Sequence, residues 1–134
     1  MKIVVLSYFA IVISIAFYFR QDPALEESMQ RGSEIYADFC VTCHLDAGEG
    51  VAGAFPPLAN SDYLLENRIA SIRGVKYGQQ GEIVVNGETY NSVMAPMGLE
   101  DEEIADVMNY VMNSFGNSSD EMVTTQEVSA LTKE

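Results

Sequence analysis

The sequence predicts a mostly α chain with one small β-hairpin, preceded by an apolar N-terminal helix. Three observations carry that expectation. Apolar residues recur at helical spacing in three stretches after residue 21, so helices rather than strands hold the core. Asn86-Gly87, between two β-prone runs, signals a tight hairpin. Residues 3–19 are apolar or aromatic throughout, apart from Ser7 and Ser14. The 134 residues suffice for one domain of ordinary size, and no internal repeat is present.

Residues 1–20 read as a membrane anchor or export signal. Lys2 precedes the apolar run and Arg20 ends it. At about 1.5 Å per residue the run makes a helix of about 26 Å, slightly short of the roughly 30 Å hydrocarbon core. As a signal peptide it has a basic start, and Ser14-Ile15-Ala16 supplies the small residues of a cleavage site. As an uncleaved anchor it ends in Phe17-Tyr18-Phe19-Arg20, the aromatic-then-charged edge of a membrane interface. The anchor is the preferred reading, with a soluble exported form after cleavage as the alternative. Either way Lys2 stays in the cytoplasm and the rest of the chain is exported.

The domain proper, residues 21–116, reads helix, loop, helix, hairpin, helix. Asp22-Pro23 opens the first helix, with Pro where its missing N–H costs nothing. Leu25, Met29, Gly32, Ile35, Tyr36 and Phe39 form its stripe, which runs into Cys40. Four Gly with Pro56 and Pro57 make residues 46–60 a loop. Ser61-Asp62 caps a second helix holding Leu64, Leu65, Ile69 and Ile72, expected to break at Gly74. The hairpin pairs residues 82–85 with residues 88–90. Asp101, Glu102 and Glu103 place acids in the first turn of the last helix, where the macrodipole favours them. Ile104, Val107, Met108, Val111, Met112 and Phe115 follow at helical spacing, and Gly116 stops the helix. Residues 117–134 form an acidic, mostly polar tail, within which Thr124 to Glu127 suits the capping box of a short last helix.

Charge narrows the partners. Seven Lys plus Arg stand against twenty Asp plus Glu, a net charge of −13. After residue 20 the balance is five basic to twenty acidic, or −15. Phosphate binding needs clustered Lys and Arg, so no nucleic-acid footprint fits. The acids read as solvated surface, and a basic partner surface is expected.

One motif carries chemistry: Cys40-Val41-Thr42-Cys43-His44. C-x-x-C-H is the attachment signature of c-type haem. Two thiols three positions apart on a helical turn reach the two vinyl groups of one porphyrin, and His44 points its imidazole at the iron. Chance placement of two Cys and the single His in this order is on the order of one in 9,000. A thioredoxin-type dithiol wants a preceding strand, whereas a helical stripe precedes here. A zinc site would lack a fourth Cys or His. One haem c, with its iron, is therefore the expected cofactor. Bis-His ligation within the chain is excluded, because there is one His. Of seven Met, Met1 lies in the export segment, Met29, Met108 and Met112 on apolar helix stripes, and Met122 in the tail. Met94 and Met97 remain, in a Pro-containing loop suited to fixing a thioether against iron. Without either, the haem would be five-coordinate and open to ligands.

These residues resemble those of class I cytochromes c, the small monohaem His/Met electron carriers, in the bacterial subgroup with a hairpin before the methionine loop. The resemblance covers most of residues 22–116 and implies the cytochrome c fold. In that family a Gly and an aromatic residue lie eight and four positions before the first Cys, as Gly32 and Tyr36 do, and pack against the C-terminal helix, here at Val107 and Tyr110. The family's Pro-x-Leu is similar to Pro56-Pro57-Leu58, which makes Pro56 the acceptor of the axial imidazole N–H. The family's ligand loop resembles Met94-Ala95-Pro96-Met97-Gly98, with Ala95 where Pro is usual and Met97 where a bulkier apolar residue is common. That alignment favours Met94 over Met97. The family's Trp, which often donates to a haem propionate, is absent; Arg73, Tyr77 and Tyr90 are candidate substitutes.

The resemblance implies an electron carrier rather than an enzyme, with the metal held by His44 and Met94 and no small-molecule substrate. Its partners are a protein donor and acceptor at the periplasmic face of a bacterial membrane. Alternatives are a permanent haem subunit of a membrane oxidoreductase, or a five-coordinate haem sensor or peroxidase. Val51, Ala52, Phe55 and Ala95 are the expected apolar neighbours of the exposed haem edge.

Overall fold

Asp22 caps the first helix, its side chain accepting from Ala24 N at 3.0 Å. The structure, a computed structural model, describes residues 22–133; the anchor or signal at residues 1–20 lies outside them. Helix α1 (Pro23–Phe39) leads into a single turn, α2 (Val41–His44). After a long loop come α3 (Asp62–Glu66) and α4 (Arg68–Tyr77), the hairpin strands β1 (Ile83–Val85) and β2 (Glu88–Tyr90), then α5 (Asp101–Met112) and α6 (Thr125–Ala130). Among the described residues no helix is long and apolar enough to cross a membrane.

Helices α1 and α5 form the core crossing. A Cβ at Gly32 would strike the Asp106 carbonyl oxygen and come within 2.9 Å of the Tyr110 Cβ, so only glycine lets the backbones meet there. Beside the crossing, Asp106 is buried. It accepts from Ser28 Oγ at 2.6 Å and from Arg31 Nε and Nη2 at 2.6 and 2.8 Å. This corrects the reading of the acids as solvated surface: one of them is an internal acceptor, because a buried carboxylate is tolerable when donors surround it. Gly32→Ala should lower stability by about 3 kcal/mol, since overpacking outweighs the gain in helix propensity. Denaturant unfolding should show the midpoint falling at unchanged slope; an unmoved midpoint would place the crossing elsewhere.

The second helix does not break at Gly74. It divides earlier, at Asn67 (φ −115°, ψ 47°), and then runs through Gly74 to Tyr77. Mid-helix glycine costs only about 1 kcal/mol, which packing outweighs, while a positive-φ stop falls naturally on Gly78 (φ 88°). Ser61 caps α3 by accepting from Leu64 N. The hairpin pairs Ile83 with Tyr90, Val84 with Thr89 and Val85 with Glu88. Positive φ at both Asn86 and Gly87 gives the type I′ turn. Asp62 and Asn86 exchange two hydrogen bonds that tie this turn to the start of α3.

Helix α5 opens with Glu103 accepting from Glu100 N at 2.8 Å. It ends at Met112, earlier than the apolar stripe suggests. Phe115 sits at φ 56° beyond it, where its ring packs 5.2 Å from Tyr36 and 5.5 Å from Tyr110. The segment after Gly116 is not a free extension. Thr124 caps α6 by accepting from Glu127 N, and Val123 and Val128 are fully buried in the core. Asn109 exchanges hydrogen bonds with the Val123 backbone in both directions.

Candidate haem site

The site begins where α1 stops. Cys40 N donates to Tyr36 O, and His44 N donates to Cys40 O, so one turn carries Cys40, Cys43 and His44. Leu45 (φ 62°) ends that turn, and the Tyr36 hydroxyl donates to the Leu45 carbonyl at 2.6 Å. The Tyr36 pKa is pushed up, chiefly by burial, so this donor keeps its proton. The chain then doubles back: the Gly48 carbonyl accepts from Leu58 N and Ala59 N, and Gly50 N donates to His44 O. Gly48 (φ 68°) lies against the Phe115 ring, 2.7 Å from where a Cβ would stand.

This fold-back brings the Pro56 carbonyl 3.0 Å from His44 Nδ1. A carbonyl only accepts, so Nδ1 carries the proton and Nε2 presents a bare lone pair, the tautomer that ligates metals. Burial lowers the His44 pKa, partly opposed by the Pro56 hydrogen bond. The Cys40 thiol is pushed up to about 11, first by burial and then by Cys43, unlike the depressed thiol of a redox dithiol. Among the described residues no three His, Cys, Asp or Glu side chains converge to hold a metal by themselves, which leaves the zinc alternative without a site.

A cavity of about 370 Å³ opens beside the turn. Cys40, Cys43, His44, Pro56, Leu58 and Met94 all line it. Met97 and the core residue Met108 reach it too. Met94 is held by its backbone: Met94 N donates to Gln79 O and Gln79 N to Met94 O, each at 2.9 Å. A Cβ added at Gly74 would lie 3.9 Å from the Met94 methyl. Of the three candidate propionate donors, Tyr90 lines the cavity. Arg73 and Tyr77 instead donate to the carbonyls of Thr132 and Leu131. Of the four expected edge neighbours Phe55 and Ala95 line the cavity, whereas Val51 and Ala52 do not and are exposed in the turn that Val51 and Phe55 close.

Sequence reasoning missed three supports. Gln79 anchors Met94 through a backbone bridge that no side-chain pattern announces. Ser71 lies on the cavity wall with its buried hydroxyl unpartnered among the described residues. Asn117 is buried, accepts from Ser61 N and donates to the carbonyls of Leu58 and Val111, which pins the Pro-Leu loop to the end of α5. Its place directly after the Gly116 stop was the one available signal.

An apolar cavity, two thiols on one turn, an imidazole with Nε2 free and a thioether on the wall fit a porphyrin and its iron. Fold and site thus define a small haem protein whose cofactor is attached through its own cysteines. The chain belongs to the cytochrome c family: the family model "Cytochrome c" matches residues 29–115. It has the family's mostly helical fold with a two-stranded hairpin, and the family's covalently bound haem c. It is 42% identical over 92 residues to cytochrome c-552 of Thermus thermophilus, covering 65% of this chain and 70% of that one. It is 32% identical over 104 residues to the cytochrome c subunit of the quinone alcohol dehydrogenase of Gluconacetobacter polyoxogenes, 75% of this chain but 22% of that subunit. The gluconate 2-dehydrogenase cytochrome c subunit of Pantoea cypripedii is 27% identical over 117 residues, 25% of its length. This chain therefore spans about a quarter or less of the dehydrogenase subunits that it matches.

Proposed function

We propose that this chain is a one-electron carrier in which Cys40 and Cys43 attach the haem, His44 and Met94 hold its iron, and redox proteins of the exported side exchange electrons with it. The bound haem supplies a one-electron couple at iron. The observation that carries the reading is the Pro56 carbonyl fixing His44 Nδ1, on a cavity that Met94 also lines. Pro56 orients the imidazole and leaves Nε2 for the metal. Leu58, with the apolar wall, excludes water, which limits reorganisation when charge changes. Oxidised and reduced spectra of the purified protein test it: a sulfur-to-iron charge-transfer band when oxidised, with no carbon monoxide adduct under conditions where a five-coordinate haem forms one. Ready carbon monoxide binding would favour the sensor or peroxidase reading instead.

Residues 1–20 are proposed as an anchor holding the domain of residues 21–116 and the C-terminal segment of residues 117–134 at the periplasmic face. The dehydrogenase subunits among its relatives support a second arrangement, permanent residence in a membrane oxidoreductase. Osmotic-shock release of intact haem protein would contradict the anchor, and co-purification with a dehydrogenase would favour the subunit.

Charge bears on the partner. Arg31, Arg68 and Lys76 are paired with Asp106, Glu127 and Asp101, which leaves Arg73 and Lys133 against the other seventeen acids, so the net field stays strongly negative. A field of that sign attracts a basic docking surface and is screened over about 8 Å at physiological salt. Electron transfer to a basic acceptor should slow by about tenfold from low to high salt. Stopped-flow rates that rise with salt would overturn the steering.

A further inference from the structure

We infer that the C-terminal segment is a latch that keeps Met94 on the haem iron, with Arg68 and Tyr77 as its positioning residues; this rests on Met94 being the axial ligand. Helix α4 has two occupied faces. Its inner face, Ser71, Gly74 and Val75, is cavity wall. From the rest of the helix four side chains reach the C-terminal segment. Arg68 makes two 2.8 Å bonds to the Glu127 carboxylate and a third to the Glu121 carbonyl. Arg73 donates to Thr132 O, Lys76 to Val128 O and Tyr77 to Leu131 O.

The segment itself is fixed to the core by Val123, Val128 and the Asn109 hydrogen bonds. Directly after Tyr77, Gly78 turns the chain, and Gln79 makes the two backbone bonds to Met94. One continuous set of contacts thus runs from the segment through α4 and Gln79 to Met94. A thioether is a neutral, weak ligand, so its hold depends on how seldom this support opens. A competing ligand sees the fraction of molecules in which it has opened.

The test uses the full-length haem protein carrying Tyr77→Phe with Glu127→Gln. Haem content and far-UV circular dichroism should match the parent, while carbon monoxide affinity of the reduced protein rises about tenfold. The oxidised charge-transfer band should also disappear at a lower temperature. Tyr77→Phe alone, which removes one oxygen atom, should raise the affinity about threefold and carries the test if the double variant folds poorly. Arg31→Gln serves as the comparison, since it loosens the α1–α5 contact at Asp106 without touching Asn109 or α6, and should leave carbon monoxide affinity unchanged. The latch is overturned if the Tyr77 and Glu127 variants bind carbon monoxide like the parent, or if Arg31→Gln raises the affinity equally. Met94→Ala measured alongside separates the premises: if it keeps the band, the ligand assignment has failed and the latch falls with it.

Discussion

Cys40→Ala combined with Cys43→Ala should leave no covalent haem and deplete the protein in cells. The two thiols are the only cysteines, so no second attachment route exists. The energetic consequence follows from the cavity. At the rate measured for large-to-small core mutants, about 370 Å³ left as void costs at most about 9 kcal/mol. Whole domains are stable by only about 5–15 kcal/mol, so the haem-free chain should be largely unfolded. Acid–solvent extraction of haem, far-UV circular dichroism and immunoblotting together read this out. A compact double mutant without haem, persisting at parental levels, would show that the polypeptide closes its own core and would remove the basis of the site.

Met94→Ala should abolish the sulfur-to-iron charge-transfer band of the oxidised protein. It should also lower the reduction potential by on the order of 100 mV, because a thioether favours ferrous iron over ferric. Met97→Ala should leave the band in place. Both side chains line the cavity, so lining alone does not separate them. What separates them is backbone support: Met94 is paired in both directions with Gln79. Should Met97→Ala be the variant that loses the band, the ligand lies three residues further along and the Gln79 bridge has another purpose.

Much of this was legible in the sequence because it depended on near neighbours in the chain. Five consecutive residues name the cofactor, since attachment and axial ligation need thiols and imidazole on one turn. Type I′ geometry at Asn86-Gly87 follows from two residues that tolerate positive φ. The first helix start at Asp22-Pro23 and the Thr124 cap are likewise local chemistry. Pro56 was nameable only through family resemblance, because nothing within the loop says which carbonyl faces the imidazole.

Other features were decided only when distant segments met. Gly74 looks like a helix stop, yet stays helical because tertiary packing outweighs a cost of about 1 kcal/mol. Asp106 looks like one more surface acid, yet is buried because Ser28 and Arg31, more than seventy residues earlier, supply its donors. The acidic tail looks solvated, yet two valines within it are fully buried and α4 side chains bond its carbonyls. The sequence by itself thus determined the haem, its attachment and the helical frame, because those rest on spacings of a few residues. Tertiary structure alone decided which backbone holds Met94, which acid is internal and where the C-terminus lies. Each of those depends on hydrogen-bond partners brought together by the α1–α5 crossing and the packing around it, which no local spacing encodes.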